Sequence, residues 1–249
     1  MNRETWSAII DESHKKGLKA ARPRLLPQGC EGCRLTTAWT SSRHSIRDQD
    51  VTPELVAEMK QKNVSYIPTL TRDLSVFVYE STPDFIKDPF FLRGMSLYKD
   101  QVAIADRARV AGRRCARIRR PQMIKRRARA RRTQNLKILS DAGITIAHGH
   151  RQRRVGAGNA GRWQGYFEQL EMEMMNKAGM SPMKVIVAST GDAAKIMGLK
   201  QVGTLQPGNW ADLVVLRANP LDNIRNTRTI DSVWIAGGKL ADVHAGHEH

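Results

Sequence analysis

The sequence is short of cysteine, of long apolar runs and of aromatic residues, and each shortage bears on what the protein can be. Three cysteines in 249 residues do not make a disulfide framework and give no reading of the redox compartment. Two of them, Cys30 and Cys33 in PQGCEGCRL (27–35), have the spacing of half a zinc knuckle. A knuckle needs a second ligand pair at matching spacing, and the remaining cysteine, Cys115, stands far off. No stretch approaches the ~20 apolar residues of a spanning helix, and the opening MNRETWSAIIDESHKKG has no signal-peptide pattern. The expectation is therefore no membrane partner, with the cytoplasm as default compartment. Aromatic residues make up 6% of the chain, and none interleaves its most basic block.

What the chain has in excess is positive charge. Forty-one Lys and Arg stand against 24 Asp and Glu, a formal net charge of +17. Taken alone, that suggests anionic partners. Residues 104–133, IADRARVAGRRCARIRRPQMIKRRARARRT, hold twelve Arg and one Lys against one Asp, and so carry +12 of the +17. The alternative function is accordingly nucleic-acid binding through the Arg-rich segment 107–132, since clustered Arg neutralises phosphates. Without interleaved aromatics or a recognisable module, nucleic acid is the weaker reading.

The remaining pattern alternates helices with short apolar strands. ETWSAIIDESHKK (4–16) reads as an amphipathic helix stopped at Gly17, and LKAA begins a strand. TPELVAEMKQK (52–62) predicts a helix capped by Thr52 and started by Pro53, with Leu55, Val56 and Met59 inward. VSYIPTL (64–70) predicts a buried strand, and an aromatic-rich loop (VFVYESTPDFIKDPFF) follows. A helix resumes at NLKILSDAG, ITIAHG (144–149) is a strand, and 166–179 and 181–198 are two further helices. From 200 onward VGTLQPG, ADLVVLRA and IDSVWIAGGKL predict a small β-rich segment. Such alternation argues for a parallel α/β architecture.

The last fifty residues carry the most specific signal. VGTLQPGNWADLVVLRANPL (202–221) with IDSVWIAGGKL resembles the closing β-segment of the metal-dependent amidohydrolase superfamily. STGDAAKIMGL (189–199) is similar to the helix before it. HSIRDQD (44–50), VSYIPTLTRDLSVFVYESTPDF (64–85) and GRWQGYFEQLEMEMM (161–175) resemble the imidazolonepropionase-like and prolidase-like branch. The resemblance covers roughly 1–21, 44–103 and 134–249. It implies an α/β fold, the C-terminal half of a (β/α)8 TIM-type barrel over 1–199, and a small β-sandwich segment over 200–249. It also implies a hydrolase for C–N bonds other than ordinary peptide bonds, acting on a small-molecule amide or dipeptide-like substrate. The cofactor implied is a divalent metal, zinc foremost, at the C-terminal mouth of the barrel, where it would lower the pKa of a bound water to about 7.

The family's ligands are an HxH pair after the first strand, often a carboxylated Lys on the fourth, a His after each of the fifth and sixth, and an Asp after the eighth. In this chain the resemblance begins before the fifth strand, and His44 matches the sixth-strand ligand. The fifth-strand His is expected where Pro23 stands, and the eighth-strand Asp near Arg151. Codon degeneracy offers an account of these departures. ARPRLLPQGCEGC shifted by one base permits AHV(F/Y)YLKDAK, with the histidine at the place of Pro23. LTTAWTSSR shifted by two permits DHGVDVIA, running into the in-frame His44. His150-Arg151-Gln152 shifted by one permits TDS after Gly149. The segments 22–43 and 150–160 are therefore suspected of frame disruption; 104–133 is suspected because out-of-frame translation of a GC-rich gene gives Arg and Ala runs, with no clean alternative frame for it. The chain as translated is expected to be inactive.

Other residues have plainer expectations. His148-Gly149-His150 mimics an HxH pair on the wrong strand, and HAGHEH (244–249) reads as a solvated terminus. Met172, Met174 and Met175 read as core filler. Glu168, Glu171 and Glu173 read as a solvated helix face.

Overall fold

The computed structural model describes residues 8, 11–18, 21–22, 41–43, 45–46, 49–71, 84–95, 122–149 and 165–241. Residues 11–15 are helical, in keeping with the amphipathic pattern there. Strands β1 (Ala21–Arg22), β2 (Ser41–Arg43) and β3 (Ser65–Ile67) form a parallel sheet in that order. Ala21 is in register with Ser41, and Ser41 with Ser65. The segment 144–147 joins beyond β3: the Tyr66 amide donates to the Thr145 carbonyl, and the Ala147 amide to the Tyr66 carbonyl. Four parallel stretches thus lie side by side in chain order. Parallel neighbours require crossovers, and helix α1 (Pro53–Gln61) lies between β2 and β3.

Helix α1 forms where its sequence says it should. Thr52 is extended and its hydroxyl accepts from the Leu55 amide at 3.3 Å, Pro53 opens the first turn and Glu54 faces the helix's positive end. Met59 is buried, with Leu55 and Val56 packed against the same core. The aromatic-rich stretch is more ordered than a loop: Asp84–Lys87 is a 3-10 helix and α2 spans Pro89–Met95. Phe85, Phe91, Tyr166 and Phe167 form their own cluster there, the Phe85 ring 5.0 Å from both the Phe91 and Tyr166 rings.

Helix α3 (Gln122–Asp141) is longer than predicted and takes in the end of the Arg-rich block. Among its described side chains, Leu136 and Leu139 are the buried apolar ones. Helix α4 spans Tyr166–Lys177, as predicted, and Met175 enters the core with Met172 and Met174 against it. The single helix expected over 181–198 is two, α5 (Pro182–Ser189) and α6 (Gly191–Met197). Thr190 breaks them at φ −126°, ψ −89°. The Ser189 and Thr190 hydroxyls both turn back onto carbonyls four residues earlier, each at 2.8 Å, and this local bonding competes with continued helix.

VGTLQPG forms no strand. Its glycine serves a close approach instead: Gly203 has φ +87°, and a Cβ there would stand 2.8 Å from both the Thr190 carbonyl oxygen and the Ala194 Cβ. Gly203→Ala is expected to cost about 2–3 kcal/mol, combining the left-handed penalty with overpacking; a urea midpoint lowered at unchanged slope would show it. Strands β4 (Leu213–Leu216), β5 (Ile230–Ile235) and β6 (Gly238–Lys239) follow as an antiparallel sheet. Val214 pairs with Val233, and the Leu240 amide bonds the Val233 carbonyl. Val214, Ile235 and Leu240, all roughly half exposed, therefore line one face with Val233.

Candidate active-site mouth

In a parallel α/β sheet the reactive end is where the strands' C-termini open into loops. Here that end comprises Ser45 and Ile46 after β2, Pro68 to Thr71 after β3, and His148 and Gly149 after 144–147. Three of the sequence-derived positions, His44, Pro23 and Arg151, lie outside the described residues, as do Cys30, Cys33, Cys115 and His150. His44 directly follows the last residue of β2 in the chain.

The loops at this end are held by buried polar side chains. Tyr66 on β3 is fully buried, and its hydroxyl accepts from the Ile46 amide at 3.1 Å. Burial pushes that phenol up to about 12. Asn135 on α3 is also fully buried. Its Oδ1 accepts from the Val51 amide at 2.9 Å, and its Nδ2 donates to the carbonyls of Ile46 at 3.0 Å and Gln49 at 2.9 Å. Arg131 reaches Asp50 of the same loop at 2.9 Å.

The loop after β3 hangs on Glu171 of α4. Its Oε1 accepts from the Leu70 amide, and its Oε2 from both the amide and the hydroxyl of Thr71, each at 2.7 Å. Burial pushes this carboxyl up to about 7, opposed by those three donors and by the Arg132 charge. Arg132, itself buried, donates to the Leu70 carbonyl at 3.4 Å. A solvated face for Glu171 is thus incorrect. It falls on the stripe Phe167, Glu171, Met175, four residues apart and wholly buried. Glu173 is buried too, paired with Arg228, and Glu168 is only partly exposed. The signal was there: a Glu repeating at helical spacing with Phe and Met sits on the apolar face.

His148 is tied into the scaffold. Its Nε2 lies 3.1 Å from the Glu168 carbonyl, which can only accept, so the proton sits on Nε2. Its amide donates to the Ala188 carbonyl at 2.8 Å. Gly149 passes so close to β3 that a Cβ would lie 2.1 Å from the Ile67 Cγ2. Among the described residues no three of His, Cys, Asp and Glu are grouped to hold a metal ion. The described mouth residues therefore do not fit the cation the resemblance implies: Glu171 is committed to the β3 loop and His148 to α4.

Residues 88–240 match the model of the amidohydrolase family, and the chain belongs to that family. Solved structures share its TIM-barrel-like α/β fold. A Xaa-Pro dipeptidase with bound methionine in its active site is 17% identical, with a TM-score of 0.61 over 97% of this chain and 49% of its own. Bottromycin amidohydrolase is likewise 17% identical, at 0.63, over 96% and 54%. The ochratoxinase of A. niger is 18% identical, at 0.58, over 96% and 45%. This chain spans about half the length of such structures. No curated protein matches the sequence.

Proposed function

We propose that the chain descends from a metal-dependent amidohydrolase that cleaves a C–N bond in a small amide or dipeptide-like substrate. The observation that carries this is the order of four parallel stretches along one sheet, with their loops at a common end, in a chain of that family. The half represented is the C-terminal half of the barrel, and the β4–β6 sheet is its share of the β-sandwich. Support for this comes from the closing motif at 202–221 and from the antiparallel sheet that Leu213–Leu216 within it forms with the strands that follow.

As translated, the chain is inactive in this reading. His44 is the one ligand its sequence retains, with Pro23 and Arg151 standing near where a His and an Asp belong. The described mouth residues supply no substitute set, so no catalytic step is assigned to them. Frame disruption across 22–43 and 150–160 accounts for both losses, and resequencing codons 20–44 and 104–160 tests it. For Arg131 and Arg132, at the end of the suspect segment 104–133, the folded contacts with Asp50 and Leu70 support a structural place.

The functional test is hydrolysis of a panel of Xaa-Pro dipeptides and N-acyl amino acids with added Zn2+. No turnover is expected. Turnover that a chelator and His44→Ala both abolish would overturn inactivity and uphold the lineage.

A further inference from the structure

We propose that two copies of this chain pair through the free edge of β4, antiparallel and related by a two-fold axis at Val214. Their three-stranded small sheets then join into one continuous sheet.

The edge is open, and it is apolar on both sides. Among the described residues no strand other than β5 pairs with β4. Val214 and Val215 are 52% and 40% exposed, although successive strand residues point to opposite faces. A layer laid over one face would hide one of them, whereas a strand added at the edge flanks both. Leu213–Leu216 contains no Lys, Pro or inward charge of the kind that guards an edge. The register irregularity beside it puts its extra residue, Asp231, on β5.

The backbone sets the register. In an antiparallel sheet the N–H and C=O of one residue point to the same side, and successive residues alternate sides. The Val233 carbonyl accepts from the Leu240 amide on β6, so Val214, opposite Val233, points its own two groups away from β5. Bonds at both ends of the strand agree. The Ala211 carbonyl accepts from the Gly237 amide, and the Arg217 amide donates to the Thr229 carbonyl. Odd-numbered residues thus face inward, and Asp212, Val214 and Leu216 face outward. Centred on Val214, a second β4 meets these groups with its own. Val214 bonds Val214 of the second copy, and Asp212 of each copy bonds Leu216 of the other.

The side chains in this register say why the occupant is the same strand. On one face the row Leu240, Val233, Val214 continues into Val214, Val233 and Leu240 of the second copy, because directly opposite residues share a face. On the other face Leu213 stands against Val215 of the second copy and covers it. At each end Asp212 of one copy lies one residue from the position opposite Arg217 of the other. Both are exposed, so the acidic start of one strand meets the basic end of its mate. The contact uses the same patch on both copies and closes on itself, so assembly stops at two. The net charge of +17 opposes it at low ionic strength, and salt relieves that repulsion.

The test is sedimentation of the full chain over a concentration series at two salt concentrations. The mass is expected to climb from 28.0 kDa to twice that value and stop, at lower protein concentration in the higher salt. Val214→Lys sets two like charges opposite each other at the axis and should weaken the pair roughly tenfold or more. Val214→Pro keeps an apolar side chain but loses the outward N–H, at a position where an edge strand tolerates proline, and it should also dissociate the pair. Ile235→Lys, on the same face but on β5, should leave the mass unchanged. A single species of 28.0 kDa at every concentration would overturn the proposal. So would growth beyond two copies, or a pair that survives both Val214 variants. Dissociation by Ile235→Lys as complete as by Val214→Lys would mean that the copies stack face to face, and would overturn it too. Should Val214→Pro fail to fold, Val214→Lys and Ile235→Lys decide the matter.

Discussion

Arg228→Ala should lower stability by about 3–5 kcal/mol, the usual cost of stripping one partner from a buried ion pair. The guanidinium is buried between two carboxylates, bonding Asp88 at 2.6 Å and pairing with Glu173, and it lies 4.8 Å over the Tyr166 ring. Its removal leaves Glu173 desolvated, with the exposed Arg225, 3.9 Å away, as a poor substitute. Part of the loss is the cation–π contact, and part is the tie it makes. Arg228 closes the 3-10 helix Ile224–Arg228, which also bonds α4 through the Thr227 hydroxyl and the Gln169 side chain. For a chain of this size the melting temperature should fall on the order of 10 °C. Replacing Arg228 and Glu173 together by methionine should recover part of this, because that apolar pair has no charge to desolvate while the partly buried Asp88 still loses its partner. Equal melting of Arg228→Ala and wild type would show that the cluster is weakly coupled to the fold.

The second large effect is at Glu171. Glu171→Ala leaves the Leu70 and Thr71 amides buried without an acceptor, opens a void in the stripe between Phe167 and Met175, and removes the charge facing Arg132. The expected loss is about 3–5 kcal/mol. Glu171→Gln removes the titration, together with at least one accepted hydrogen bond, because its amide nitrogen cannot accept from the Leu70 or Thr71 amide. The folded carboxyl stands at about 7, raised from an ordinary 4.5, so between those values the native state holds a proton that the unfolded chain has released. Its contribution to stability is therefore complete below about 4.5, falls as pH rises, and is gone above about 7. Denaturant melts of the wild type should show that decline, and Glu171→Gln should flatten it. A wild-type profile that rises over the same window would mean that the three donated hydrogen bonds outweigh desolvation.

The helices and strands of this chain were legible wherever local chemistry and periodicity agreed. Thr52-Pro53 announces α1, Ser181-Pro182 announces α5 with the Ser181 hydroxyl accepting from the Lys184 amide, and VSYI reads as a buried strand. The break at Thr190 was not legible as a break, because runs such as IVAST (186–190), of small and β-branched residues, are compatible with helix until their hydroxyls find carbonyls. The structural clamps were missed for a different reason. Asn135, Arg132 and Arg228 act on partners up to 140 residues away, and nothing in a local window distinguishes them from surface polar residues. Glu171 was the exception, readable from its place among apolar neighbours and overlooked beside the other glutamates. The ligand positions His44, Pro23 and Arg151 were reachable through resemblance alone.

The apolar face of the β4–β6 sheet has a colloidal consequence. Val214, Val233, Ile235 and Leu240 offer one molecule a surface that another can wet, and mutual repulsion at +17 is what keeps such molecules apart in dilute buffer. Raising ionic strength shortens the reach of that repulsion, to about 8 Å at 0.15 M, while leaving apolar adhesion intact. Salt, which ordinarily helps a basic protein stay in solution by loosening its hold on polyanions, should here drive turbidity instead.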